Sequence, residues 1–229
     1  MNKLQQRIQQ IENNIEASCH RVGRKRSDIH VVAVTKSVSS VRAQEVIDEG
    51  FTHLGENRPD GLMEKLTNIS ADVNWHFIGN LQSRRVRDII DQVSHIHSLS
   101  RTSIAKEIQK RATKTVDCFV QVNVSGEASK SGVTSEELEA FIASLENYDK
   151  VRIVGLMTMA PNTEDKAQIR SIFKTMHHLR DQIQALNLPF APCTELSMGM
   201  SNDYEIAIEE GATYIRIGTA LVGEESGEN

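Results

Sequence analysis

Short apolar runs rich in β-branched residues alternate with helical stretches along most of the chain, and this alternation limits the possible folds most strongly. The run at 30–36 (HVVAVTK) is almost continuously apolar, which is typical of a strand covered on both faces in a parallel sheet. Eight strand candidates of this kind occur, at 30–36, 53–55, 75–79, 95–98, 117–124, 151–157, 195–198 and 213–217.

Helical patterns precede and separate these strands. Leu4, Ile8, Ile11 and Ile15 recur at steps of four, three and four, which places them on one stripe of a first helix. Further helices are predicted at 41–49, from Thr134 onward with Glu137 at capping-box spacing, at 164–186 and at 202–210.

Strands that alternate with helices indicate βαβ units and a parallel α/β sheet. Eight units in 229 residues fit one (β/α)8 TIM barrel, with an extra N-terminal helix within about residues 1–25. We therefore expect a single domain over 1–229 with a loose tail at 224–229. A doubly wound open sheet is the alternative, but the first turn, Thr35-Lys36-Ser37-Val38, lacks the glycines that such folds use.

Charge and composition exclude several classes of protein. The net charge of -5 argues against binding of nucleic acid or of an anionic membrane, since both depend on clustered Lys and Arg. No signal peptide and no apolar run of about 20 residues is found. Cys19, Cys118 and Cys193 are widely spaced, so we expect buried thiols, no metal site and a cytoplasmic protein.

Lys36 stands at the end of the first strand, on the face of a barrel where active sites lie. Partial desolvation there favours a neutral amine, and a neutral amine can form a Schiff base with an aldehyde. A strand-end lysine that keeps its amine in water is the alternative. Asn57 follows the second strand at the same rim, where it fits a site or a simple turn, and His76 is interpreted as a core histidine.

Two loops carry the chemistry of an anion cradle. Ser197 to Asp203 and Gly218-Thr219 follow the seventh and eighth strands, and barrels often bind phosphate between these two loops. Ordinary helix capping by Ser201 or Asn202 is the alternative. Arg216, within the last strand, needs a partner if it points into the barrel. Together these features favour a phosphorylated aldehyde as ligand.

Seven short motifs occur in a fixed order along the chain. They are Ala33-Val34-Thr35-Lys36, Gly55-Glu56-Asn57, Trp75-His76-Phe77-Ile78-Gly79, Ser129-Lys130-Ser131-Gly132, Gly155-Leu156-Met157, Leu196-Ser197-Met198-Gly199-Met200-Ser201 and Arg216-Ile217-Gly218-Thr219. Together they resemble the pyridoxal 5'-phosphate homeostasis protein family, and through it the N-terminal barrel of alanine racemase, over about residues 5–223, and the whole series is more specific than any one motif.

The resemblance implies a cofactor and the residues that hold it. Lys36 would carry pyridoxal 5'-phosphate (PLP) as an internal aldimine, and Arg216 would face the pyridine nitrogen. The phosphate would lie among Ser197, Ser201, Gly218 and Thr219, with Asn57, Met157 and Met198 also beside the cofactor. One departure from the family pattern is Arg58-Pro59-Asp60-Gly61, which follows Gly55-Glu56-Asn57 in place of an aromatic and further polar residues.

A complete cofactor cradle beside an incomplete catalytic set favours a PLP carrier without clear turnover. An arginine at the pyridine nitrogen keeps it unprotonated and makes a weak electron sink. We therefore expect PLP homeostasis, with apo-enzymes that use PLP as recipients and with a monomer or weak dimer. A low-activity amino-acid racemase and a cofactor-free Schiff-base aldolase are the alternatives.

Overall fold

The computed structural model describes residues 1–126 and 131–225. It contains a closed barrel of eight parallel strands, in which each strand pairs with the next along the chain and the last pairs with the first. The strands are β1 His30–Val34, β2 His53–Glu56, β3 Asn74–Phe77, β4 His95–Leu99, β5 Val116–Gln121, β6 Val151–Met157, β7 Glu195–Ser197 and β8 Tyr214–Ile217. The predicted barrel is confirmed, and the open-sheet alternative is wrong.

Helices follow the strands and cover the barrel. In the described residues they are α1 Lys3–Arg21, α2 Ser40–Asp48, α3 Pro59–Asn68, α4 Val86–Ile89, α5 Thr102–Arg111, α6 Leu138–Ala143, α7 Lys166–Ala185, α8 Tyr204–Glu209 and α9 Thr219–Val222. In the described part of the chain, no helix combines the length and the apolarity that crossing a lipid bilayer requires.

The extra N-terminal helix is confirmed, and its apolar stripe is what fixes it to the barrel. Leu4, Ile11 and Ile15 of α1 are buried. A capping box starts the helix, since Asn2 Oδ1 accepts the Gln5 N–H at 2.8 Å and Gln5 Oε1 accepts the Asn2 N–H at 3.1 Å. The amphipathic pattern therefore serves packing within the chain, with α8 and α9 as neighbours.

Three local features show the clearest differences from the sequence-based predictions. Arg58 to Gly61 is the start of α3, because Pro59 occupies the first helical position, where its missing N–H costs nothing. The fifth strand ends at Gln121, not at residue 124. Both hydrogen bonds of the capping box between Thr134 and Glu137 are present, although α6 itself begins at Leu138. Residues 127–130, including Lys130, and residues 226–229 of the expected loose tail lie outside the described residues.

Two buried regions lie on opposite faces of the strands, because inward and outward side chains alternate in a barrel. The larger one packs between strands and helices and includes the three cysteines, which are all free thiols, as predicted. The smaller one fills the barrel interior with Val32, Phe119, Val154, Met157 and Tyr214. The aromatic rings of Phe119 and Tyr214 thus share the barrel interior with aliphatic side chains.

Candidate functional site

Lys36 lies just beyond the C-terminal end of β1. Thr35 is buried, and a turn follows it in which the Val38 N–H donates to the Thr35 carbonyl at 3.1 Å. The Lys36 side chain is exposed, so the partial desolvation expected from the sequence is not observed. The reason is that the strand ends at Val34, and the turn places Lys36 above the rim of the barrel.

A buried ion pair supports this end of β1. Glu56 Oε1 accepts a hydrogen bond from Thr35 Oγ1 at 2.6 Å, and Lys65 Nζ lies 3.1 Å from the same carboxylate oxygen. The Glu56 and Lys65 side chains are only 2% and 3% exposed. Sequence reasoning missed this pair, because Lys65 belongs to α3, a helix that was not predicted.

Arg216 is buried in β8, and no described carboxylate forms an ion pair with it. Its Nη1 donates to Ser197 Oγ at 2.6 Å, and its Nη2 donates to the Thr158 carbonyl at 3.0 Å. Burial lowers the pKa of the guanidinium to about 10, which the nearby Asp203 carboxylate partly offsets. An arginine still carries its charge at neutral pH, so a buried cation lies here with only neutral hydrogen-bond partners.

Ser197 lies beneath this arginine, with no exposed surface. Its hydroxyl oxygen accepts from Arg216 and lies 2.7 Å from His97 Nδ1. The sequence placed Ser197 among the phosphate-binding groups. In the structure its hydroxyl contacts His97 and Arg216, and its place among the phosphate-binding groups stays a prediction.

The loop between β7 and α8 is tied to the last strand. The Arg216 backbone N–H donates to the Gly199 carbonyl at 2.9 Å, and the Met200 N–H donates to Asp203 Oδ1 at 2.6 Å. Burial raises the pKa of the Asp203 carboxyl, which the hydrogen bond from Met200 partly counteracts. Ser201 is half-buried in this loop and lines a cavity of about 240 Å³ that also borders α7.

Gly218 and Thr219 form the turn that follows β8. Gly218 is half-buried, and its carbonyl accepts the N–H groups of Leu221 and Val222. Thr219 is exposed and is the first residue of α9, where helical N–H groups have no partner within the helix. Ser201, Gly218 and Thr219 therefore lie on two neighbouring rim loops, as the sequence predicted for an anion site.

The remaining predicted site residues, Asn57, Met157 and Met198, lie in three different environments. Asn57 is half-buried directly after β2, at the rim. Met157 ends β6 and belongs to the buried cluster inside the barrel. Met198 packs in the larger core between strands and helices. Successive side chains point to opposite faces of a strand, and the preceding Ser197 points into the barrel. The Met198 side chain therefore lies outside the barrel interior.

A cavity of about 400 Å³ opens at the same end of the barrel, over β3, β5 and β6. Asn80, Gln121 and Thr158 give it polar groups, and Met159 and Met200 give it apolar ones. None of the residues predicted for the site lines this cavity, although Met200 adjoins Ser201. Among residues 1–126 and 131–225, no group of three or more His, Cys, Asp or Glu side chains could hold a metal ion.

The three tyrosines of the chain have other structural positions. The Tyr204 hydroxyl accepts a hydrogen bond from Asn14 of α1 at 2.9 Å. Tyr214 lies inside the barrel against the ring of His30, the first residue of β1, and burial raises its pKa to about 12. Tyr148 packs partly buried against the larger core. The described site thus has no tyrosine in position to act as an acid or base beside Lys36.

Comparison with known proteins assigns the chain to a family. The family model of the alanine racemase N-terminal domain matches residues 7–226. A pyridoxal phosphate homeostasis protein of Aquifex aeolicus is 38% identical over 223 residues, which cover 96% of this chain and 97% of that protein. A protein of the same name from Pseudomonas aeruginosa is 34% identical, with 97% and 96% covered.

A solved structure supports the same relationship. PipY of Synechococcus elongatus, in a structure with PLP bound, superimposes with a TM-score of 0.79 at 28% identity, covering 92% of this chain and 100% of that one. The similarity in sequence and in fold extends over nearly the full length of each protein compared. The chain belongs to the alanine racemase N-terminal domain family, as one of its pyridoxal phosphate homeostasis proteins.

Proposed function

We propose that this protein binds pyridoxal 5'-phosphate reversibly at the C-terminal mouth of the barrel and takes part in PLP homeostasis, without sustained catalytic turnover. The observation that carries the proposal is the buried Arg216, which has neutral partners and no ion pair in the described residues. A guanidinium has five N–H donors, and the bonds to Ser197 and Thr158 leave others for a further acceptor. PLP offers one in its pyridine nitrogen, and it carries a phosphate for the two rim loops.

Each residue has a defined task in this proposal. The Lys36 amine forms a Schiff base with the aldehyde carbon of PLP, and the aldehyde oxygen leaves as water. Arg216 donates to the pyridine nitrogen, with Ser197 holding the guanidinium from below. The loops at Ser201 and at Gly218-Thr219 bind the phosphate. Asn57 and Met157 lie beside the ring, and Met198 contributes only through the backbone next to Ser197.

Two features support a carrier over an enzyme. When bound, PLP supplies an electron sink, and that sink is strong only with a protonated ring nitrogen. The permanently charged Arg216 disfavours this protonation. Moreover, Tyr148, Tyr204 and Tyr214 all have other structural positions. We infer that the protein releases PLP to apo-enzymes in the cytoplasm, acts as one barrel domain, is a monomer or weak dimer, and binds neither nucleic acid nor membranes.

The test of the cofactor and its attachment uses the purified protein incubated with PLP. We expect a visible absorbance band that borohydride removes, and peptide mapping should then find the label on Lys36. Lys36→Ala should give no trapped adduct. Lys174→Ala is the matched control, because Lys174 is exposed on α7, and this variant should be labelled like the wild type. A colourless wild type would favour the aldolase alternative, and a label on another lysine would overturn the role of Lys36.

The test of turnover measures exchange of the α-hydrogen of alanine or serine in deuterated water. We expect no sustained exchange by the PLP-loaded protein. Sustained exchange that Lys36→Ala abolishes would overturn the carrier proposal and support the racemase alternative.

A further inference from the structure

Three histidines connect the N-terminal half of the barrel to Arg216 through a continuous line of hydrogen bonds. His53 Nδ1 lies 2.8 Å from His76 Nε2, His76 Nδ1 lies 2.8 Å from His97 Nε2, and His97 Nδ1 lies 2.7 Å from Ser197 Oγ. The line continues to Arg216, whose Nη1 is 2.6 Å from the same oxygen. We call His53, His76 and His97 the histidine chain.

The two inner rings of the histidine chain are neutral. His76 and His97 have no exposed surface. Burial lowers the pKa of both rings well below the ordinary range, and the positive charge of Arg216 lowers that of His97 further. A neutral imidazole has one N–H donor and one acceptor nitrogen.

Neutrality makes the donors of the chain point in one direction. Both nitrogens of His76 and both of His97 are engaged, so each ring must donate on one side and accept on the other. Only two arrangements satisfy every bond. In one, each ring carries its proton on Nε2 and the Ser197 hydroxyl donates to His97. In the other, each ring carries its proton on Nδ1 and His97 donates to Ser197.

The charge of Arg216 selects between these arrangements. A guanidinium can only donate, so Ser197 Oγ must present a lone pair to Arg216. With the protons on Nε2, the hydroxyl proton and every N–H of the histidine chain point away from the cation, and the lone pairs point towards it. The dipoles of the histidine chain then all stabilise the buried charge of Arg216, whereas the arrangement with the protons on Nδ1 destabilises this charge.

We propose that the histidine chain, aligned with its protons on Nε2, positions Ser197 and stabilises the charge of Arg216 at the floor of the ligand site, in place of a carboxylate. His76 and His97 are then positioning residues for the ligand. The part of the proposal that concerns PLP rests on the proposed function. The alignment itself is a property of the free protein.

The alignment is tested without any cofactor. Protein labelled with ¹⁵N on its histidines reports, by long-range ¹H–¹⁵N correlation, which nitrogen of each neutral ring carries the proton. We expect Nε2–H for His53, His76 and His97 at neutral pH. A proton on Nδ1 of His76 or His97 would overturn the proposal.

The link between the histidine chain and the ligand site is tested by removing the hydrogen bonds of its middle residue, His76. His76→Phe keeps a ring at this position but removes both hydrogen bonds. We expect the proton of His97 to shift from Nε2 towards Nδ1, because its Nε2–H loses a buried acceptor. Because Arg216 then loses its aligned support, PLP binding should weaken roughly tenfold to a hundredfold.

His95→Phe is the matched control. The His95 ring stacks on His76 with centroids 4.2 Å apart, yet its Nδ1 bonds to Ser94, outside the chain. We expect this variant to keep both the His97 tautomer and the PLP affinity of the wild type. Equal loss of affinity in the two variants would show a packing effect and would overturn the positioning role.

The two proposals fail in distinguishable ways. A wild-type protein that does not bind PLP overturns the proposed function and the positioning role for PLP, while the tautomers of the free protein still decide the alignment. A wild type that binds PLP with a histidine protonated on Nδ1 within the chain overturns the alignment alone.

Discussion

Glu56 accepts a 2.6 Å hydrogen bond from the hydroxyl of Thr35, the residue immediately before Lys36. Both residues are buried, so the carboxylate fixes the end of β1 from inside the protein. The charge of Glu56 is in turn balanced by Lys65 at 3.1 Å. The position of Lys36 at the rim therefore depends on an ion pair in the next βα unit.

Removing one charge of this pair should destabilise the protein strongly. Glu56→Gln leaves the buried Lys65 ammonium with only the half-exposed Glu64 carboxylate, 3.9 Å away, and breaking a buried ion pair costs about 3–5 kcal/mol. The free energy of unfolding in urea measures the effect. The double variant Glu56→Gln, Lys65→Met should recover most of the loss, because it removes the uncompensated charge.

An exposed pair provides the comparison. Arg111 and Glu107 form an i,i+4 pair at 2.8 Å on α5, where both side chains are partly exposed. Arg111→Gln should cost no more than about 0.5 kcal/mol. Similar losses of unfolding free energy for Glu56→Gln and Arg111→Gln would contradict the stabilising role of the buried Glu56–Lys65 pair.

Gly199 should tolerate no side chain because a Cβ there would collide with its neighbours. Gly50 has the same backbone strain without the crowding, so it serves as the comparison. Both glycines have φ of +95°. A Cβ on Gly199 would lie 2.6 Å from Ala207 Cβ and 2.9 Å from Tyr204 Cα, whereas a Cβ on Gly50 meets nothing within 4 Å. Gly199→Ala should therefore cost roughly 1–3 kcal/mol more than Gly50→Ala in unfolding experiments, since overpacking is added to strain.

The same substitution should also affect the ligand site, because the Gly199 carbonyl accepts the backbone N–H of Arg216. We expect Gly199→Ala to weaken PLP binding and Gly50→Ala to leave it unchanged, as measured by titration of each variant. Equal stabilities for the two variants would show that the loop moves freely to accept a Cβ.

Ser201 is the rim hydroxyl that we assign to the phosphate. Ser201→Ala should remove one charge-assisted hydrogen bond, worth about 1.5–3 kcal/mol, and so weaken PLP binding roughly tenfold to a hundredfold. Ser171→Ala, at an exposed position of α7, is the control and should bind as the wild type does. An unchanged dissociation constant for Ser201→Ala would exclude this contact.

The barrel could be predicted from the sequence because each strand is a local apolar run, such as His30–Val34, and because helices separate the runs. α3 was missed because Pro59 and Gly61 are turn formers when considered alone. Only the context shows that Pro59 occupies the first position of a helix.

The site could be predicted only in part, since its central contacts join distant segments. Arg216 was expected to need a partner if it pointed into the barrel, and it is buried with two hydrogen-bond acceptors. Its partner Ser197 and the support from His97, 100 residues away from Ser197, depend on which strands meet across the barrel. His76 was interpreted as a core histidine, and the structure confirms it as buried and hydrogen-bonded on both nitrogens. No local pattern could have revealed that these groups form one line.

The buried histidines predict a loss of stability in mild acid. Burial lowers the pKa of His95 from 6.5 to about 4, although the nearby Asp117 carboxylate acts in the opposite direction. Well above pH 6.5 neither the folded nor the unfolded protein binds this proton, so the buried His95 causes no loss of stability there. As the pH falls from 6.5 to about 4, the unfolded chain takes up the proton first, so stability declines by about 3 kcal/mol through this group. His76 and His97 act in the same direction, because burial lowers their pKa values as well.

Replacing one of these rings should therefore flatten the acid limb of the stability curve. In His95→Phe, the slope of the unfolding free energy against pH between about 4 and 6.5 should fall by up to about 1.4 kcal/mol per pH unit, which corresponds to one proton fewer. Urea denaturation at a series of pH values measures this slope. His20→Phe, at an exposed position of α1, is the control and should follow the wild-type curve. If His95→Phe and the wild type lose stability in parallel between these pH values, the buried ring of His95 is not a source of the acid sensitivity.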